Sequence, residues 1–200
     1  MTSGTRTRLG NLYNAMQHCK ECERIQSNVT GLAANAPGDP SLGHGKLKGY
    51  GKGRLMFVAQ NPSCKRIPYV VTPCDAGISR DLLWLLNKVG IADTDVFFTN
   101  LVKCSTPRNR LPSSKEINKC TEKWLRDEIE ITSPLLIVPV GRSALAYFGG
   151  SSFEQPFVYY DGDRRVDAFG IWHPSHVVRA GKYDKYLGQL RQLKSLWDRR

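Results

Sequence analysis

Three short apolar runs, each closed by a polar turn and followed by a helical pattern, constrain the fold more than any other feature of the chain. The runs are 54–59 (RLMFVA), 95–100 (DVFFTN) and 135–140 (LLIVPV). Each has the length of a buried strand rather than of a helix. Between the first two, 79–89 (SRDLLWLLNKV) carries Leu82, Leu83, Leu85 and Leu86 at helical spacing, with Ser79 as the expected N-cap. The segment 113–131 opens with SSKE, a capping-box pattern with Ser113 at the cap and Glu116 three residues on. Helical composition also marks 8–26, 142–148 and 185–197, and 157–160 and 166–171 read as added strands. Alternating strands and helices imply an α/β fold with a mainly parallel sheet, and 200 residues suit a single domain spanning 1–200. Ligands of such folds gather at the carboxyl ends of the strands. The stretch 60–63 (QNPS), Asn100 and the stretch 172–175 (WHPS) all fall just after a predicted strand.

Charge narrows the partner. Lys and Arg number 29 against 18 Asp and Glu, a net +11, and the sequence pI is about 9.5. Such an excess favours a polyanion, because each neutralised phosphate releases counterions; a solvated basic surface is the alternative. No apolar run approaches the roughly 20 residues of a membrane helix. Residues 1–10 lack the apolar stretch of a secretory signal. No membrane partner is therefore expected, and a cytoplasmic location is. The glycine- and proline-rich stretch 31–53 reads as a long surface loop.

Six cysteines in a chain of this kind point to metal ligation, catalysis or burial rather than to a disulfide framework. Cys19 and Cys22 form a C-x-x-C, Cys104 and Cys120 are separated by fifteen residues, and Cys64 and Cys74 stand in a polar loop. Four thiolates, two from each pair, suit zinc or a [4Fe–4S] cluster, and spacing alone leaves both open.

The residues around these cysteines carry more. The run 96–104 (VFFTNLVKC), then PRNR at 107–110, Pro112, Glu116 and Cys120, resembles the family-four uracil-DNA glycosylases. The likeness continues through Ser133-Pro134 and GRSA at 141–144 to WHPSHVVR at 172–179, which is similar to the family's HPS-x-x-x-R motif. The resemblance implies a three-layer α/β/α fold with a four-stranded, mainly parallel sheet. It also implies that Cys19, Cys22, Cys104 and Cys120 hold a structural [4Fe–4S] cluster pinning the N-terminal helix to the loop after Asn100.

The same resemblance suggests roles at the site. Breaking a base–deoxyribose bond leaves negative charge on the departing pyrimidine, so donors must face the base oxygens of a flipped nucleotide. His173 matches the histidine that stabilises charge at the pyrimidine O2. Asn100 matches the asparagine that reads the base edge, and Tyr69 the aromatic that stacks on the base. Val177 and Val178 stand where an apolar wedge fills the gap left by the flipped base. Ser175, Arg179, Arg108 and Arg110 are expected to meet the DNA backbone, as are Lys182 and Lys185.

The chain departs from that family at 60–77. Gln60 replaces a carboxylate and Ser63 a glycine, so the turn is instead similar to the Gly-x-Asn-Pro-Gly of mismatch-specific uracil and thymine-DNA glycosylases. Asn61 inherits the role of positioning the attacking water, and Gln60 that of contacting the base. No general base is evident in the turn; Asp75 is a weak substitute. The loop 63–77 has an altered spacing, which points to a substrate other than plain uracil. The expectation is a monomeric, monofunctional DNA glycosylase acting on a uracil-like or modified pyrimidine in DNA, in base-excision repair or in defence against modified foreign (phage) DNA. A catalytically inactive iron–sulfur DNA-binding protein is the alternative, favoured by Gln60 and Ser63. A zinc-binding nucleic-acid module is a third reading.

Overall fold

The computed structural model describes residues 3–17, 19, 21–22, 54–61, 77–104, 106 and 110–200. The first helix, α1 (Ser3–Gln17), buries Leu9, Leu12, Tyr13 and Met16. Their i, i+3, i+4, i+7 spacing puts all four on one stripe. It ends before the C-x-x-C, so Cys19 and Cys22 follow the helix instead of riding on it as the 8–26 reading expects. The cysteine pair starts as a turn, with the Cys19 N–H donating to the Met16 carbonyl at 3.0 Å.

The sheet is built from β1 (Leu55–Ala59), β2 (Val96–Asn100), β3 (Leu136–Pro139), β4 (Pro156–Asp161) and β5 (Arg164–Phe169). Its order is β2-β1-β3-β5-β4. The first four in that order run parallel, and β4 pairs antiparallel with β5. The sheet thus has five strands rather than four: the parallel set is extended by one edge strand that returns through a hairpin. Every residue of β1, β2 and β3 is buried. A strand buried at every position is covered on both faces, which explains why these runs are mostly apolar and not alternating, with polar Thr99 and Asn100 only at the end of β2.

Helix α2 (Gly77–Lys88) precedes β2 and begins two residues before Ser79, which lies inside the helix rather than at its cap. The helical stretch after β2 has three parts: α3 (Ser114–Cys120), a π-helical turn over Thr121–Leu125, and α4 (Arg126–Thr132). The expected capping box is present: the Ser113 hydroxyl accepts from the Glu116 N–H, and the Glu116 carboxylate accepts from the Ser113 N–H at 2.7 Å. The stretch stops at Ser133, in the left-handed region at φ 49°. Carbonyls at and just past the C-cap accept from guanidinium donors, Ser133 O from Arg54 at 3.1 Å and Pro134 O from Arg164 at 2.8 Å. Helices α5 (Arg142–Tyr147), α6 (Pro174–Ala180) and α7 (Tyr183–Trp197) complete the fold. α1 packs with α4, and α2 packs with α6 and α7. With both sheet faces covered, these helix groups make the outer layers of an α/β/α arrangement.

A buried ion pair sits under the end of β2. Lys103 Nζ donates to Glu128 Oε2 at 2.6 Å, to Thr99 Oγ1 at 2.7 Å and to the Asn100 carbonyl at 2.6 Å. The Thr99 hydroxyl in turn donates to Glu128 Oε2 at 2.7 Å. Glu128 is fully buried and Lys103 nearly so, which ties α4 to the strand end that carries Asn100. Among the described residues, no helix is long and apolar enough to cross a membrane.

Candidate active site

The carboxyl ends of four parallel strands are stitched side by side. Leu101 N donates to Ala59 O at 2.8 Å and Val102 N to Gln60 O at 3.0 Å, joining the ends of β2 and β1. Gly141 N donates to Ile171 O and Ile171 N to Pro139 O, both at 2.9 Å, joining the ends of β3 and β5. Along this edge the strand order places Asn100, then Gln60 and Asn61, then Gly141, then Trp172 and His173. Four stretches remote in sequence therefore share one rim, where an open α/β sheet presents its ligand site.

His173 is half-buried at the start of α6. Its Nδ1 accepts from the Ser175 backbone N–H at 3.2 Å and lies 2.6 Å from the Ser175 hydroxyl. A backbone N–H can only donate, so Nδ1 carries no proton and the hydroxyl must donate to it as well. A neutral ring then bears its hydrogen on Nε2. Burial, followed by the nearby Arg179 charge, holds the His173 pKa below the ordinary histidine value. Both influences favour the neutral ring, and the Ser175 N–H selects its Nε2–H tautomer, a donor suited to a pyrimidine oxygen.

Gly141 makes room for that ring. Its φ is +85°, and a Cβ there would stand 3.2 Å from the His173 Cβ. Gly141→Ala is expected to destabilise the fold by about 1–3 kcal/mol, because a non-glycine residue is strained in this region. It should also displace His173 and lower whatever activity the site has. Denaturant unfolding and a single-turnover assay on the same sample check both effects.

Beside the histidine, a chain of side-chain hydrogen bonds crosses the rim. Ser143 Oγ bonds Gln60 Oε1 at 2.7 Å, Gln60 Nε2 donates to Asn61 Oδ1 at 2.9 Å, and Asn61 Nδ2 donates to Thr106 Oγ1 at 3.2 Å. Thr106, fully buried, donates to the Arg110 carbonyl at 2.5 Å. Arg110 forms a two-pronged pair with Glu116, at 2.6 and 2.8 Å. That guanidinium holds the Glu116 carboxyl well below the usual carboxylate range, at about 2.

The predicted DNA contacts divide. Arg179 is exposed, with its Nε on the Ser175 carbonyl at 3.1 Å. Arg110 is engaged by Glu116, so its guanidinium has an internal partner where a phosphate contact was the expectation. Val177 is only 1% exposed and belongs to the core, which corrects the wedge expectation: its side chain packs beneath α6 instead of projecting toward a duplex. The Val178 side chain, Tyr69 and Arg108 lie outside the described residues, as do Cys64, Cys74 and Asp75. Lys182 and Lys185 stand over the Trp172 ring, 5.4 and 4.9 Å from its centroid, and Lys185 also pairs with Glu154. The Trp172 backbone N–H donates to Gln189 Oε1 at 3.2 Å. Ser143, Thr106 and Gln189 were not legible as site residues, since each is a common polar residue whose role depends on distant partners.

Cys19, Cys22, Cys104 and Cys120 are free thiols, the last two buried. Burial first, then negative charge on the other cysteines, pushes the Cys104 thiol up. Burial likewise pushes Cys120 up to about 11, opposed by the Lys103 charge and by the Lys103 N–H, which donates to its sulfur at 3.2 Å. Cys19 and Cys22 therefore lie near enough to Cys104 and Cys120 to oppose the ionisation of those two buried thiols, and a bound cation would relieve this. Among the described residues, no three His, Cys, Asp or Glu side chains are set to hold one metal ion. The donor set is all thiol and comes from three separate segments, chemistry that suits an iron–sulfur cluster.

Comparison with known proteins adds the family. Residues 48–194 match the profile described as the uracil DNA glycosylase superfamily. The chain is 30% identical to a Type-4 uracil-DNA glycosylase of Archaeoglobus fulgidus over 199 residues, covering 92% of this chain and 86% of the relative. It is 34% identical to the Type-4 uracil-DNA glycosylase of Thermotoga maritima, covering 63% of this chain and 67% of that one. It is also 31% identical to a DNA polymerase of Bacillus phage SP01, covering 75% of this chain and 17% of the polymerase.

Proposed function

Because the chain belongs to the uracil-DNA glycosylase superfamily, we propose that it is a monofunctional DNA glycosylase that hydrolyses the N-glycosidic bond of a flipped uracil-like or modified pyrimidine. The observation that carries the reading is the fixed tautomer of His173, which leaves an Nε2–H donor on the same rim as Asn61 and Asn100. As the glycosidic bond lengthens, the sugar gains oxocarbenium character and charge collects on the base. The His173 donor meets that charge at O2, and being neutral it stabilises charge without delivering a proton. Asn100 reads the base edge, and Asn61 orients the water that captures the sugar. A dissociative transition state needs little activation of that water, so Gln60 in place of a carboxylate is compatible with turnover.

Cys19, Cys22, Cys104 and Cys120 are the residues that would hold a [4Fe–4S] cluster, which when bound serves to fasten the chain and takes no part in bond breaking. With DNA as partner, the basic rim residue Arg179 meets phosphate, and the protein works as a monomer in the compartment that holds the DNA. Repair of damaged bases and attack on foreign DNA with modified bases both use this one reaction.

The test incubates the protein with duplexes carrying uracil, 5-hydroxymethyluracil, mismatched thymine or glucosylated hydroxymethylcytosine, then cleaves abasic sites with alkali. Scission at one of these bases is the expected result. Tight DNA binding with no scission at any of them would overturn the reading in favour of an inactive binding protein. The depressed His173 pKa also sets a pH dependence. The neutral form is the working form, so the acid limb of the rate profile should fall below about 6.5, the ordinary histidine value. A profile already half lost above that pH would contradict a histidine held neutral by burial and by Arg179.

A further inference from the structure

We infer that Thr106 is a positioning residue for Asn61, setting which end of the Asn61 amide is oxygen and which is nitrogen. The inference rests on the functional reading above and extends it to a residue outside the rim.

The argument is one of donors and acceptors. An amide side chain can turn end for end at little cost unless a neighbour distinguishes its two ends. Hydroxyl groups do not, because they donate or accept as required. In the chain Ser143–Gln60–Asn61–Thr106, every link is an amide or a hydroxyl, so these links by themselves leave both directions open. The far end removes that freedom. The Arg110 carbonyl can only accept, and at 2.5 Å it takes the single Thr106 proton. Thr106 Oγ1 must then accept from Asn61, which makes the end of Asn61 facing it the NH2 and the end facing Gln60 the oxygen. Gln60 follows with its NH2 toward Asn61 and its oxygen toward Ser143. Thr106 is 0% exposed, so water cannot replace its hydroxyl without entering the core. The carbonyl that fixes the direction is itself held in place, since the Arg110 side chain is clamped on Glu116 and Glu116 is tied to the helix cap at Ser113.

The polarity matters to the reaction. An amide oxygen accepts a hydrogen from water and aims the water lone pair outward, whereas an amide nitrogen donates to that lone pair and ties up the electrons needed for attack. Ser143, at the reversible end, completes the chain but does not set its direction.

Thr106→Val keeps the shape and removes the hydroxyl; Thr106→Ser keeps the hydroxyl. On the base that the wild-type protein removes, Thr106→Val is expected to lower the single-turnover rate about 10- to 100-fold with DNA Kd changed by less than about twofold. Thr106→Ser should restore most of the rate, and Ser143→Ala should lose less than Thr106→Val. The effect should also vanish in an Asn61→Ala background, where no amide remains to be oriented. Full activity of Thr106→Val, or an undiminished loss in the Asn61→Ala background, would overturn the inference. A second measurement does not need activity. The Asn61 side-chain NH2 resonances, identified by their absence in Asn61→Ala, should exchange with water slowly in the wild type and at least about tenfold faster in Thr106→Val. Unchanged exchange would overturn the inference even if no base were excised, whereas a wild-type protein inactive on every duplex but showing protected Asn61 protons would overturn the functional reading alone.

Discussion

Replacing His173 with alanine is expected to lower the single-turnover excision rate by about two to three orders of magnitude, the usual cost of deleting one preorganised donor to a developing oxyanion. The loss should fall on the chemical step. His173 is half-buried and held by Ser175, and the exposed cation beside it is Arg179, so duplex affinity should change little. Measuring Kd and the saturating rate on one oligonucleotide separates the two. His173→Gln makes the comparison sharper. Its amide can donate to a pyrimidine oxygen but is longer and has no ring to be held by the Ser175 pair, so an intermediate rate is expected. Full activity of His173→Ala would remove the histidine from the mechanism.

The largest stability effect should come from the ion pair under β2. Glu128→Leu leaves the Lys103 ammonium buried without its counter-charge, and breaking such a pair from one side costs about 3–5 kcal/mol. Lys103→Met leaves the Glu128 carboxylate stranded in the same way. The double variant removes both charges and should be less destabilised than either single one, a non-additivity that denaturant unfolding at neutral pH reads directly. Glu128 Oε1 has no hydrogen-bond partner among the described residues. The carboxylate thus already bears part of its desolvation cost unaided, so the double variant should come close to the wild type. Two single losses that simply summed in the double variant would show that the pair acts as independent contacts.

Much of this architecture was legible in the sequence. Short apolar runs closed by polar turns have the length of buried strands, and β1, β2 and β3 lie within a residue of the expected limits. The capping box at Ser113 is read locally, and it formed as read. Ser79 misled because a serine before a leucine run is a weak cap signal, and the helix starts two residues before it. The α6 helix was missed: Pro174–Ala180 is seven residues long, too short for a periodicity to register beside the motif that occupies it. Val177 misled for a related reason, since a motif position tells nothing of which way a side chain turns. The rim residues at strand ends were legible because topology alone gathers them. Thr106 and Ser143 were not, because hydrogen-bond direction depends on partners 45 and 83 residues away in the chain.

The π-helical turn at Thr121–Leu125 has a consequence for how this region can evolve. In an unbroken α-helix, advancing eight residues from Cys120 to Glu128 would rotate the side-chain direction by about 80° beyond whole turns. The wider turn absorbs about one residue, so the net offset falls to about −20° and both side chains address the same side of the helix. One looks to the other cysteines and the other to Lys103. The turn is a phase shifter, and its length is quantised. Losing one residue here, with the turn closing to an ordinary α-helix, would leave seven steps and the same offset of about −20°, whereas a second residue lost, or one gained, would turn one of the two away from its partner. The one change of length this stretch should tolerate is therefore loss of the residue that the wider turn absorbs.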